Sequence, residues 1–186
     1  MKPVWIIDFD DSFTYNIAAE FYRLGFESEV IDWKKWQPPT TQVPKLLVLG
    51  PGPGHPDEYQ REDHLLQWWK TQVPIAGLCL GHQLLARFIG LRVERAVLPM
   101  HGEAVELSAP ISWQKKFQLP SRLSVQRYNS LAVKKQRLPK EWEGWEYEEE
   151  WIGFAHKRAI SYQFHPESVG TSCPDAFFKT MTRFIL

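Results

Sequence analysis

The chain has 186 residues, and its 22 basic and 22 acidic side chains give a formal net charge of zero. This length is that of one ordinary domain with its own core, so we expect a single domain over residues 1–186 and no second catalytic domain. The balanced charge disfavours nucleic acid or an anionic membrane surface as a partner. A small molecule or another protein is the better candidate.

Targeting signals and cysteine content narrow the class further. The longest apolar runs fall short of the roughly 20 residues that a membrane span needs, and the N-terminal residues lead into acidic ones rather than a signal-peptide cleavage site. We therefore expect a cytoplasmic protein. The two cysteines, Cys79 and Cys173, exclude a disulfide framework and a zinc site built from thiolates.

The first part of the chain alternates strand and helix signals. An apolar run at residues 3–9 predicts a strand, and apolar residues at helical spacing predict a helix over residues 13–24. Residues 28–33 and 45–49 predict two more strands, the second apolar enough to be buried on both faces. A further helix is predicted over residues 58–70. Such alternation is typical of a parallel sheet with helices on both sides.

The segment between the third strand and this helix is a loop. Residues 50–56 read Gly-Pro-Gly-Pro-Gly-His-Pro, which fits neither a helix nor a strand. Because the loop follows a central strand, it lies where open α/β sheets bind their ligands.

Residues 73–90 carry a strand, a sharp turn and a helix. The apolar strand ends at Leu78 and helical periodicity resumes after Gly81, so Cys79 lies at the turn. Gly77 and Gly81 permit such a turn, as in the Gly-x-Ser-x-Gly nucleophile elbow of hydrolases, here with sulfur in place of oxygen. The helix N-terminus favours a thiolate. The alternative is a buried structural cysteine, which behaves as a small hydrophobic residue.

From residue 91 onward the pattern changes to shorter alternating segments. These predict partly exposed antiparallel strands, at residues 101–108, 121–128, 141–149 and 151–157. The apolar run at 159–165 predicts another strand, which Pro166 ends, leaving His165 at the strand end. A final helix is predicted from Pro174, with one apolar face formed by Phe177, Phe178, Met181, Phe184 and Ile185. The predicted fold class is α/β, a mostly parallel central sheet flanked by helices with a small antiparallel addition.

A cysteine nucleophile needs a base and a group that orients the base. Among the six histidines, His82 follows the turn and is expected to point away from Cys79. His165 is better placed, because Glu167 projects from the same side of an extended segment two residues on. Cys79, His165 and Glu167 are therefore the candidate catalytic residues. The alternative is a surface turn that contains a charged pair, and spacing alone leaves both interpretations open.

Five segments together resemble the class I glutamine amidotransferase family. They are GLCLGHQ at 77–83, QFHPES at 163–168, GPGPGHP at 50–56, RYNSL at 127–131 and IDFDDSFTYN at 7–16. The last of these resembles the opening of one branch, the small subunits (component II) of anthranilate synthase and aminodeoxychorismate synthase. The five segments cover nearly the whole chain, in order and at the family's spacing.

The resemblance implies a role for each candidate residue. Cys79 would attack the side-chain amide of L-glutamine and form a cysteinyl thioester, His165 would transfer the proton to the departing ammonia, and Glu167 would hold His165. An oxyanion hole would come from the backbone N–H groups of Gly52 and Leu80. Contacts to the amino acid end of the substrate would come from Gln83 and the backbone of Ser130 and Leu131. The half-reaction requires no metal and no organic cofactor.

In this branch the ammonia passes to a separate chorismate-binding synthase subunit (component I), which makes anthranilate or 4-amino-4-deoxychorismate. Two residues depart from the family's pattern, Asn129 where histidine is usual and Glu103 where lysine is usual. Both lie outside the triad and bear on contact with the partner. Two alternatives stay open: a stand-alone cysteine hydrolase of γ-glutamyl compounds, and a non-catalytic regulatory partner that keeps the fold.

Overall fold

The computed structural model describes residues 2–39 and 41–184. In this part of the chain the strands are Val4–Asp8 (β1), Ser28–Asp32 (β2), Leu46–Leu49 (β3), Ile75–Leu78 (β4), Val93–Arg95 (β5), Glu103–Ser108 (β6), Arg122–Arg127 (β7), Leu131–Lys134 (β8), Glu143–Tyr147 (β9), Glu150–His156 (β10) and Ala159–Tyr162 (β11). The α-helices are Thr14–Arg23 (α1), Glu62–Lys70 (α2), Leu80–Phe88 (α3), Ile111–Phe117 (α4) and Pro174–Thr182 (α5).

The central sheet is parallel in one half and antiparallel in the other. Its strands run in the order β2-β1-β3-β4-β11-β10-β8-β5, with β9 also paired to β10. The first five strands in this order, β2, β1, β3, β4 and β11, pair in parallel. Strands β10, β8, β5 and β9 pair antiparallel to their neighbours. Strands β6 and β7 form a separate antiparallel pair. The predicted fold class is confirmed.

Helices cover both faces of the parallel half. On one face, residues such as Ile6 and Val48 pack with α1, α4 and α5. On the other, residues such as Ile7 and Leu49 pack with α2 and α3. Burial of each such side chain stabilises the fold by about 1.5–3 kcal/mol. The two buried faces explain why β3 reads as a continuous apolar run.

Several elements differ from the sequence prediction. Strands β5 and β8 were not predicted, and β11 ends at Tyr162 rather than at His165, which forms an isolated bridge with Gln126 on β7. The helix expected over residues 58–70 is a 3₁₀ turn, Pro56–Glu58, followed by α2. The His55 ring accepts a hydrogen bond from the backbone N–H of Asp57, and the Glu58 carboxylate accepts one from the backbone N–H of His55, so the turn closes on itself. Helix α4 was not predicted; its amphipathic signal is short and rests on two buried residues, Trp113 and Phe117.

The last predicted helix begins at Pro174 as expected and extends to Thr182. Ile185, expected on its apolar face, lies outside the described residues. Within the described residues, helices are too short or too polar to cross a membrane.

Candidate active site

Cys79 lies at the turn between β4 and α3 and has a strained backbone. Its φ of 51° and ψ of −102° are rare for a residue with a side chain, and such strain costs about 1–3 kcal/mol. Its N–H donates to the backbone oxygen of Tyr162 on the neighbouring strand at 2.9 Å. The turn expected from the sequence is therefore present, and it holds Cys79 at the carboxyl edge of the parallel strands.

The glycines on either side of Cys79 are required by close packing. An added Cβ on Gly81 would lie 2.1 Å from the backbone oxygen of Leu49, and one on Gly77 would lie 2.5 Å from the backbone oxygen of Gly81. The N–H of Gly81 also donates to the backbone oxygen of Gly50 at 3.1 Å. The start of α3 thus sits directly on the end of β3 and on the glycine-rich loop.

His165 and Glu167 form a buried pair rather than a surface turn. The Nδ1 atom of His165 is 2.6 Å from the Glu167 carboxylate, and both side chains are almost completely buried. The rings of Phe13 and Tyr128 pack against the His165 imidazole, with centroids 5.2 and 5.0 Å away. The backbone N–H of His165 donates to Gln126 on β7. The carboxylate and the two aromatic rings together fix the orientation of the imidazole.

The second nitrogen of His165 is available for proton transfer. Its Nε2 atom is buried and makes no hydrogen bond of regular geometry to any described residue. The pKa of His165 lies well above its usual value: burial alone would lower it, but the interaction with Cys79 and its charge, joined by those with Glu167, outweighs burial. The charged imidazolium form of His165 is therefore favoured at this position.

A cleft of about 120 Å³ opens in front of Cys79. All five of the other predicted site residues line it, namely Gly52, Leu80, Gln83, Ser130 and Leu131. The backbone N–H groups of Gly52 and Leu80 make no hydrogen bond to any described residue, and an added Cβ on Gly52 would lie 2.6 Å from the Leu80 side chain. The two residues that carry these N–H groups are thus in close contact beside Cys79.

A larger cavity of about 550 Å³ lies between the C-terminal ends of α4 and α5 and contains none of the predicted site residues. Lys115, Lys116 and Lys179 line this cavity near the ends of the two helices. Cations at helix C-termini are favourable in any protein because of the helix dipole. The smaller cleft at Cys79 is therefore the candidate active site.

Gln83 and Gln163 connect the wall of the cleft to Cys79. The Nε2 atom of Gln83 donates to the backbone oxygen of Leu131 and to the side-chain oxygen of Gln163, both at 3.1 Å. The Nε2 atom of Gln163 is 3.7 Å from the sulfur of Cys79. The sequence prediction assigned no role to Gln163. Gln163 lies two residues before His165, in the segment that directly follows β11.

The two departures from the family's pattern have different surroundings. Asn129 is buried; its side-chain oxygen accepts a hydrogen bond from Arg127 at 3.0 Å, and its nitrogen donates to the backbone oxygen of Leu131 at 2.9 Å. Arg127 in turn forms a buried ion pair with Glu150 at 2.7 Å. Glu103 is exposed on β6, where its carboxylate accepts a hydrogen bond from the backbone of His101. Asn129 therefore supports the cleft wall, whereas Glu103 lies on the surface.

His82 is directed at the sheet rather than at the cleft. Its Nδ1 lies 2.9 Å from the Ser161 hydroxyl, and its Nε2 lies 2.9 Å from the backbone oxygen of Trp151. Burial lowers the pKa of His82 to about 3, against the opposing effect of the bond to Trp151. The ring is therefore neutral, and it fastens α3 to β10 and β11.

The fold and the cleft are those of an α/β protein with a cysteine at a strand-to-helix turn. The glutamine amidotransferase class-I family matches residues 5–183, and the chain belongs to that family.

Two relatives of similar length cover most of the chain. A Pseudomonas aeruginosa protein named anthranilate synthase component 2, pyocyanine specific, is 37% identical over an alignment of 182 positions that covers 91% of this chain and 87% of that protein. Aminodeoxychorismate synthase component 2 of Escherichia coli is 34% identical over an alignment of 175 positions that covers 89% of this chain and 91% of that protein. A solved glutamine amidotransferase structure from Thermotoga maritima superimposes with a TM-score of 0.71 at 20% identity, covering 98% of this chain and 82% of that one. This last likeness shows the fold alone.

Proposed function

We propose that this protein is the glutaminase subunit of a chorismate-aminating synthase. It hydrolyses L-glutamine and passes the ammonia to a chorismate-binding component I, which makes anthranilate or 4-amino-4-deoxychorismate. The observation that carries the proposal is the strained Cys79 turn beside the buried His165–Glu167 pair, at a cleft lined by every other predicted site residue. We further propose that the whole chain is one such domain and that it acts in the cytoplasm.

In the first half of the reaction, the Cys79 thiolate attacks the side-chain carbonyl carbon of glutamine. The negative charge that develops on the carbonyl oxygen is stabilised by the backbone N–H groups of Gly52 and Leu80, which have no other described partner. His165 in its imidazolium form gives the Nε2 proton to the amide nitrogen, the C–N bond breaks, and ammonia leaves. A cysteinyl thioester remains on Cys79.

In the second half, water cleaves the thioester. His165, now neutral, takes a proton from the attacking water through the same Nε2 atom, and the C–S bond breaks to give glutamate and the free thiolate. Glu167 keeps the imidazole in position through both halves, since its carboxylate accepts the hydrogen bond from Nδ1 at 2.6 Å. Gln83, Ser130 and Leu131 hold the amino acid end of the substrate in the cleft.

The partner and its product are proposed from the relatives. The two relatives described above are component 2 proteins of anthranilate synthase and aminodeoxychorismate synthase, with similar identity to this chain. The choice between the two products lies with the synthase subunit, because that subunit binds chorismate.

The test measures glutamine hydrolysis by the purified protein, alone and with each candidate component I plus chorismate, and identifies the aromatic amine. We expect low activity alone that rises with one partner. Full hydrolysis without any partner would contradict the subunit role and favour a stand-alone hydrolase. Absence of hydrolysis under every condition would favour a non-catalytic regulatory partner.

Replacing the nucleophile separates catalysis from assembly. In Cys79→Ala we expect glutamine-dependent product formation to fall by at least about 10³-fold, while synthesis from added ammonia by the complex is unchanged. Cys173→Ala is the matched control, because Cys173 is exposed at the start of α5. Equal loss of both activities in Cys79→Ala would assign Cys79 a structural role instead.

A further inference from the structure

A continuous set of side-chain contacts joins the cleft wall to the nucleophile through Gln163. This side chain is fully buried, at 0% exposure, directly after β11. Its backbone N–H donates to Ile152 on β10 at 2.9 Å. The position of the side chain is therefore set by the sheet rather than by a mobile loop.

The hydrogen-bond pattern determines which end of the Gln163 amide faces the sulfur. The backbone oxygen of Leu131 can only accept, so the nitrogen of Gln83 must face it. The second N–H of the same nitrogen meets the side-chain oxygen of Gln163. The nitrogen of Gln163 is then directed at Cys79, where it lies 3.7 Å from Sγ. An N–H donor in this place favours the thiolate over the thiol, because hydrogen bonds to charged acceptors are stronger than those to neutral ones.

We propose that Gln163 is a positioning residue for Cys79: its amide holds the sulfur in the thiolate form beside His165 and ties it, through Gln83, to the Leu131 wall of the cleft. His165, two residues further along the same segment, also interacts with Cys79. The thiolate thus has a cationic neighbour and a neutral donor. This inference rests on the proposed glutaminase function, which gives the thiolate its substrate.

Alkylation of Cys79 by iodoacetamide tests the proposal without any glutamine turnover. The rate is measured from about pH 5 to about pH 9 in a Cys173→Ala background, which leaves a single thiol. In Gln163→Glu the carboxylate repels the thiolate, and we expect the pH midpoint of alkylation to rise by about one unit. Gln163→Met keeps the length of the side chain without a donor, and we expect a smaller rise in the same direction.

Gln114→Glu is the matched control, because Gln114 lies on the remote helix α4, where its amide donates to the backbone oxygen of Ala109. We expect its alkylation profile to equal that of the parent. Thermal melting identifies the variants that fold. If Gln163→Glu does not fold, the test is made with Gln163→Met. In glutamine hydrolysis, kcat of Gln163→Met should fall about tenfold with a much smaller change in KM.

The outcomes separate the two proposals. An unshifted alkylation profile in the folded Gln163 variants overturns the positioning role, whether or not the protein hydrolyses glutamine. A shifted profile in a chain that does not hydrolyse glutamine upholds the positioning role and overturns the glutaminase function.

Discussion

Gly81→Ala tests whether the contact between α3 and β3 places the nucleophile. The added Cβ would lie 2.1 Å from the backbone oxygen of Leu49 and 2.7 Å from its Cβ. These atoms belong to a central strand that is hydrogen-bonded on both sides, so the helix, not the strand, must move. Restoring an ordinary carbon–oxygen contact requires a displacement of about 1 Å or more.

The displacement affects stability and activity by different amounts. Overpacking of this kind costs about 1–3 kcal/mol, which lowers the Tm of a chain of this size by about 2–4 °C for each kcal/mol. Because Cys79 and the N–H of Leu80 move with the helix, a shift of about 1 Å lowers glutamine hydrolysis by about 10²-fold even in the folded protein.

Gly90→Ala is the matched control for this prediction. Gly90 follows the other end of α3, with a φ of +84° and no heavy atom within 4 Å of an added Cβ. Alanine there costs about 1–2 kcal/mol through its left-handed backbone alone and leaves the start of the helix in place. Thermal melting and hydrolysis assays with component I are run on both variants. If Gly81→Ala loses no more activity than Gly90→Ala at temperatures where both are folded, the contact between α3 and β3 does not set the position of Cys79.

Two further predictions concern buried titratable groups. His82 has a pKa of about 3 in the folded chain against 6.5 in the unfolded one, so the stability associated with its neutral form is complete above about pH 6.5 and is lost as the pH falls towards 3. By pH 5 the loss of unfolding free energy is about 2 kcal/mol relative to pH values above 6.5. Urea unfolding at pH 5 and at about pH 7.5 should therefore show a pH-dependent loss of stability that is smaller by this amount in His82→Asn than in the parent. An equal loss in the two proteins would contradict a neutral buried His82. Glu167→Ala should lower glutamine turnover by less than Cys79→Ala does, by a margin of about 10²-fold, since an orienting carboxylate contributes less than a nucleophile. Unchanged turnover in steady-state assays would remove Glu167 from the site.

The features that the sequence predicted well are local. The glycines around Cys79 permit a turn whose strain depends on a few neighbouring dihedral angles. Glu167 lies only two residues from His165, and a turn after β11, rather than the expected extended segment, brings the two side chains together. Continuous apolar runs separated by helical periodicity indicate a parallel sheet. Each of these signals lies within a few residues of the feature that it predicts.

Features that depend on packing between distant segments were not predictable in the same way. The helix expected over residues 58–70 is interrupted because His55 and Glu58 close a turn between side chain and backbone. Helix α4 depends on Trp113 meeting Trp145 and Tyr162, which are distant in sequence. Neither outcome follows from local periodicity.

The meeting of Cys79 with His165 is the clearest case. It follows from the parallel register of β4 and β11, in which Leu78 is opposite Tyr162, so that both chains leave the sheet at the same edge. Strand pairing is a contact between residues far apart in the chain, and because β4 and β11 are buried along their whole length, their apolar runs do not single out one register. The role proposed for Gln163 depends on the same register. Cys79 follows Leu78 and Gln163 follows Tyr162, so the pairing of the two strands brings the Gln163 amide to the sulfur. The sequence supplied the chemical groups, and the packing of the sheet brought them together.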